Sequence, residues 1–258
     1  MLNITISQQD IEVFFLVLVR IASFVSVAPF FGESNVPVRY KLAFAIGLSY
    51  LIYLIIPDVS LPYDTTLGYA TLIIKESIVG LLVGFSAYIC NTIVLFAGRI
   101  IDMDIGLSMA NLYDPSTRQQ VSLNGSFYQR VIMILLILSG MHLYLLGAIK
   151  DTFTLIPIGG LSFNMSLYNS FIGFLADYFI IGFRIILPIF AVILIVNCAM
   201  GIMTKVAPQI HMFSVGMQIK ILIGLLVLFM TIILLPNIAD VLFDEMKTMV
   251  VEAIRGMS

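Results

Sequence analysis

The chain has 258 residues, of which 60% are hydrophobic and 11% charged, with a formal net charge of −2. A mean hydropathy of +1.09 excludes an ordinary soluble globule, which carries about 25% charged residues, and leaves a membrane or membrane-complex protein. The small negative charge offers no broad basic surface, so nucleic acid is not an expected partner, while membrane lipid is.

The opening "MLNITISQQDIEVFF" lacks a basic first region and places Asp10 and Glu12 before the apolar run, so no cleavable signal peptide is expected. A first apolar segment covers 11–31 and contains Glu12 and Arg20; a second, 42–57, is short for a crossing, and the two are expected to form a hairpin. Pro29, Gly32 and Pro37 mark the bend between them, followed by Lys41. The third segment, 67–101, begins with Lys75 and Glu76 and continues into the charge-free run Ser77 to Gly98, long enough to cross hydrocarbon. Gly80 and Gly84 form a Gly-x-x-x-Gly pair that favours close helix packing and, with Pro29, Gly32, Pro37, Pro188 and Pro208, is expected at helix bends and inter-subunit contacts.

An abrupt polar insert, 102–126, interrupts this apolar chain. Beyond it lie a fourth segment, 127–149, and a fifth, 171–203, with Pro188 inside it. A sixth, 219–243, follows a gap containing Pro208. Six helical segments bent by proline and glycine, arranged as hairpins in one integrated all-α domain, are therefore predicted. The bends "APFFGESNVPVRYK" (Ala28 to Lys41) and "APQIHMFSVGMQIK" (Ala207 to Lys220) share Ala, Pro, Val and Lys at equal offsets, a faint echo of hairpin duplication. Lys and Arg favour the first, third and fifth gaps as cytoplasmic, which puts both termini outside. Trp is absent, so Tyr alone would furnish an interfacial belt, and the same hydropathy would arise if partner subunits covered the helices.

Charges in or beside the segments are expected to meet a partner, a watery lumen or the interface. They are Arg20, Lys41, Lys75, Glu76, Arg99, Asp102, Asp177, Arg184, Lys205 and Lys220, candidates for buried ion pairs. Arg99 and Asp102 have a spacing that permits a helix-surface pair, and Asp177 and Arg184 share a face two turns apart. The alternative is an ion pathway, for which only Glu76 and Asp177 supply carboxylates within the segments. His142 and His211 lack a Cys, Asp or Glu at metal spacing, and Cys90 and Cys198 read as small packing residues. Neither a nucleophile elbow nor a phosphate or dinucleotide fingerprint occurs, so no cofactor, metal or catalytic residue is expected. Met103, Met109, Met212 and Met217, at segment ends, could form a deformable seal.

The motifs "APFFG", "KESIVGLLVG", "AGRIIDMDIGLSMANLYDPSTRQQ", "GMHLYLLGAIKDTFTLIPIGG" and "KVAPQIHMFSVGMQIK", in this order, resemble the FliR family of bacterial type III secretion. The "LYDPSTRQQ" stretch is similar to the flagellar rather than the injectisome branch; Asp151 and Gln218 depart from the pattern. The resemblance implies a non-enzymatic subunit that assembles with FliP and FliQ, and with FlhB and FlhA, into an export gate for unfolded flagellar proteins. It further implies a location in the bacterial inner membrane at the flagellar basal body, with the assembled gate raised above the bilayer plane.

Irregular backbone cannot face lipid, so the insert must lie in water, in protein or along a channel. The resemblance assigns it to a plug: Gly106, Leu107, Ser108, Met109, Ala110, Asn111, Leu112, Tyr113, Asp114, Pro115 and Ser116, with Asn124 and Gly125 at its end. A solvated connector, a small-solute secondary transporter and the injectisome homologue are the competing readings.

Overall fold

The computed structural model describes residues 8–56, 61, 63, 65–110, 113, 114, 119, 120, 122–206 and 215–258. Pro57, Asn111, Leu112, Pro115, Ser116, Pro208, His211 and Met212 lie outside the described residues. Among the described residues the protein is all-α. Its helices are α1 (Gln8–Val27), α2 (Val38–Tyr53), α3 (Thr66–Ile105), α4 (Leu123–Leu138), α5 (Met141–Leu155), α6 (Met165–Val206), α7 (Met217–Thr231) and α8 (Leu235–Met257). A two-residue antiparallel pairing, Tyr113 opposite Gln120 and Asp114 opposite Gln119, is confined to the insert.

Three stretches are long and apolar enough to cross a membrane, Thr66–Ile105, Met165–Val206 and Met217–Met257, and a fourth arises if α4 and α5 count as one bent span. The apolar run 127–149 is in fact two helices meeting at 68°. Hydropathy conceals that break because both sides are greasy; the cause is Gly140, whose φ of +80° suits glycine and ends the first helix. The run 219–243 also divides, through a 3-10 turn at Ile232–Leu234. Pro236 falls in the first turn of α8, where its missing N–H costs no helical hydrogen bond. Pro188 does not end its helix: α6 runs through it for 42 residues.

The chain forms two compact units. The first comprises 1–90, 140–174 and 244–258. In it α1 buries Val13, Leu16, Val17, Arg20, Ile21, Phe24 and Val25, an unbroken stripe at helical spacing with one ionised member. A Cβ on Gly80 would lie 2.1 Å from the Arg20 carbonyl oxygen, and one on Gly84 would lie 3.0 Å from that of Phe24. The glycine pair therefore lets α3 lie directly on the α1 backbone, at a separation no larger residue allows.

The second unit comprises 91–139 and 175–243. Here the Cβ missing from Gly98 would stand 2.1 Å from the Gly125 Cα, so α3 and α4 touch backbone to backbone. The Phe96 ring seats over Gly182 of α6, and Tyr178, Phe179 and Phe183 surround it with centroids 5.5 to 6.3 Å away. Outside these contacts the unit's helices leave large apolar side chains bare: Ile195 is 69% exposed, Phe229 76% and Ile233 80%.

Candidate functional site

Two features of the sequence become concrete, one in each unit. In the first unit Arg20 is fully buried, and its Nε donates to the Glu76 Oε2 at 2.5 Å. Its Nη1 donates to the Thr152 carbonyl and hydroxyl at 3.1 and 3.2 Å, and both Nη atoms reach the Ile156 carbonyl at 3.1 Å. The Phe153 ring lies 4.2 Å from the guanidinium carbon. Thr152 sits in the last turn of α5 and Ile156 is its C-cap, so a cation stands where the helix dipole is negative. Glu76 uses its second oxygen to accept from the Gly159 N–H at 2.9 Å, while Lys75 donates to the Gly159 carbonyl at 3.0 Å.

Gly159 is required at this corner. Its φ is +80°, and a Cβ there would stand 2.5 Å from Leu72. The clasp thus joins α1, α3, the end of α5 and the turn after it. Each guanidinium nitrogen is engaged, and both Glu76 oxygens are taken, so the arrangement is a fixed tie and not a proton relay. Breaking one partner of such a pair costs about 3–5 kcal/mol, because the other charge is left stranded in a dry interior.

In the second unit the polar insert is pinned at both ends. The α3 helix continues to Ile105 and stops at Gly106, whose φ is +91° and whose N–H donates to the Asp102 carbonyl at 3.1 Å. A 3-10 turn, Leu107–Ala110, opens the insert. At the far end Ser122 caps α4, its hydroxyl accepting from the Gly125 N–H at 2.9 Å. That hydroxyl donates in turn to Asp102 Oδ2 at 2.6 Å, and the Asn124 amide donates to Oδ1 at 2.5 Å. A carboxylate beside a helix N-terminus is well placed electrostatically. Asp102 therefore staples the two ends of the insert together beside the Gly98–Gly125 contact.

This geometry corrects several expectations. Asn124 and Gly125 belong to the first turn of α4, not to the loop, because Ser122 starts that helix. Asp102 is not paired with Arg99, which is exposed on α3; the α4 cap is the stronger partner. Lys41 and Lys75 meet backbone carbonyls instead of acids: Lys41 Nζ donates to the Gly32 oxygen at 2.9 Å, closing the bend between α1 and α2. Asp177, Arg184 and Lys205 are exposed on α6, and Lys220 is half-buried at the start of α7. Ion pairs among the described residues include Arg20–Glu76 and the exposed Lys150–Asp151 at 3.4 Å.

The bend "APFFG" holds a strained residue, Phe30, at φ +71°. Gly32 fits under it because a Cβ would lie 2.8 Å from the Ser26 carbonyl oxygen, and Phe31 stacks on Phe44 of α2 with centroids 5.3 Å apart. Pro37 supplies the α2 N-cap. Near the N-terminus Glu12 accepts from the Tyr63 hydroxyl and from Gln8, which together hold its carboxyl below the ordinary value. Sequence reasoning missed Thr152, Gly159 and Ser122 as partners. For Ser122 a signal existed, since Ser before an apolar helical run is a capping signature; the other two contact residues more than eighty positions away.

The chain matches the model of the family "Bacterial export proteins, family 1" over residues 11–246. It is 31% identical over 249 residues to the flagellar biosynthetic protein FliR of Bacillus subtilis, covering 95% of this chain and 93% of that protein. It is 26% identical over 256 residues to the FliR of Escherichia coli, with 98% of both chains covered. Against the FliR of Buchnera aphidicola subsp. Acyrthosiphon pisum it is 28% identical over 232 residues, or 90% of each chain. The matches run through both pinned features and nearly every helix, and by them the chain belongs to the bacterial export proteins, family 1.

Proposed function

We propose that this protein is a structural and gating subunit of the flagellar export apparatus in the bacterial inner membrane, building an export channel with FliP and FliQ. FlhB and FlhA complete the machinery, unfolded flagellar proteins are the cargo, and the chain has no catalysis of its own. The family and the names of its relatives support the export assignment. The observation that carries the gating role is the insert: a polar segment stapled at both ends by Asp102, Ser122 and Asn124, between helices apolar enough to cross a membrane. A merely solvated connector needs no such anchoring, whereas a plug must return to one position each time a substrate has passed.

Assembly with other subunits has its own support. At 1.5 Å per residue the 40 residues of α3 and the 42 of α6 extend about 60 Å, twice a hydrocarbon core of about 30 Å. Half of each helix must lie beyond the lipid. Yet the first half of α6 keeps Met165, Tyr168 and Ile172 more than half exposed, and such surface needs sister proteins when lipid is out of reach. A gate raised above the bilayer plane, lined by several copies of its partners, meets both demands. Co-expression with the two partner proteins and purification in mild detergent tests this. A stable complex with multiple copies of both is expected; a chain that purifies as a lipid-sheathed monomer and by itself conducts a small solute would instead establish the transporter.

A further inference from the structure

The geometry points to a phospholipid site in the second unit, with the lipid phosphate on Arg184 and an acyl chain in the cavity below it. The cavity has a volume of about 250 Å³, and nearly all of its wall is hydrocarbon. Ile185, Pro188 and Ile189 of α6 form one side and Leu235, Ile238 and Val241 of α8 the other. Arg184 is the one charged residue in the lining, and it is exposed. Among the described residues Arg184 forms no ion pair. An unpaired guanidinium beside an apolar slot is complementary to an amphiphile with an anionic head and an apolar tail.

The position along the helix agrees. Arg184 and Lys205 bracket the charge-free run Ile185 to Thr204. That run is about 30 Å of helix, the thickness of a hydrocarbon core, which puts Arg184 at headgroup level and the cavity just inside it. Pro188 adds a second polar group. Having no N–H, it cannot bond the carbonyl four residues earlier, so the Arg184 carbonyl is left without its helical donor. The same turn therefore offers five N–H donors for a phosphate and one free acceptor for a headgroup ammonium or hydroxyl. Phosphatidylethanolamine and phosphatidylglycerol fit this chemistry. Neither the insert nor its proposed plugging enters the argument.

The test is native mass spectrometry of the complex of this chain with its co-expressed partners, extracted in mild detergent and re-exposed to vesicles of pure phosphatidylethanolamine, pure phosphatidylglycerol or phosphatidylcholine, or to inorganic phosphate alone. A retained phospholipid is expected, preferring the first two lipids. Arg184→Gln should lower its occupancy about tenfold, the loss of one charge-assisted contact. Val241→Phe, which fills the cavity and leaves the arginine, should expel the lipid while the complex elutes unchanged. Should the complex fail to assemble with Val241→Phe, Val241→Leu provides the milder filling, and a graded fall is expected. Retention that ignores both the charge and the filling variants overturns the site. So does binding of inorganic phosphate without lipid, or a cross-link from residue 238 to a partner subunit's side chain in place of lipid.

Discussion

Replacing Glu76 by Gln removes the counter-charge from Arg20 while keeping size and one acceptor oxygen for the Gly159 N–H. Both members of the pair are essentially inaccessible to water, at 0% and 1%. The variant strands a guanidinium in the interior, at a cost of about 3–5 kcal/mol. Arg20→Met has a comparable cost from the opposite side, since Glu76 is stranded and the Ile156 carbonyl loses both guanidinium donors. The double variant, Arg20→Met with Glu76→Gln, strands no ion, so its cost should fall short of the summed single costs by at least about 2 kcal/mol. For a chain of this size 1 kcal/mol moves Tm by roughly 2–4 °C, so each single variant should melt about 10 °C below the wild type. Differential scanning fluorimetry of the purified complex in detergent reads all four corners of this cycle. Costs that add to within about 0.5 kcal/mol would show that the two residues act independently, and the clasp as described would be wrong.

Gly80→Ala places a carbon 2.1 Å from the Arg20 carbonyl and should force α1 off α3, whereas Gly84→Ala meets its nearest atom at 3.0 Å and needs only a slight shift; detergent-resistant yield should fall severalfold more for the first, and equal effects would count against direct packing. Asp102→Ala leaves the Ser122 cap in place but removes the carboxylate that links the insert's ends, and should cost about 1.5–3 kcal/mol as lost hydrogen bonds to a charged group, visible as faster protease cleavage within 107–121 and not elsewhere. Tyr63→Phe frees Glu12 from the hydroxyl that holds its pKa down. The wild-type stabilisation from Glu12 is present above the ordinary carboxylate pKa and is lost as pH falls through the lowered folded value, so the wild-type and variant melting curves should differ at neutral pH and converge in acid. A gap that widens on acidification would reverse the sign.

Sequence spacing carried some of these features and hid others, for physical reasons. The buried stripe of α1 and the glycine pair of α3 could be read from period alone, because each acts along one helix. What Arg20 binds could not, since its partners stand 56, 132 and 136 residues away and each is a common residue type. Pairing Arg99 with Asp102 followed from local spacing, yet the acid turned to a helix N-terminus that folding brought to it. The break at Gly140 was invisible to hydropathy because a left-handed glycine leaves composition untouched. The insert announced itself by polarity, and its anchoring became visible only when Gly98 and Gly125 were found back to back.

That the insert closes a shared conduit is most directly tested by ion conductance. Removing Ser116 to Gln120 from the chain, in the assembled complex reconstituted into a planar bilayer, leaves the Asp102–Ser122 staple untouched and shortens only what lies between its ends. The account predicts steady leakage of small ions through a complex that is otherwise shut, with export surviving at least in part. A barrier as tight as that of the intact complex would mean that the segment blocks nothing.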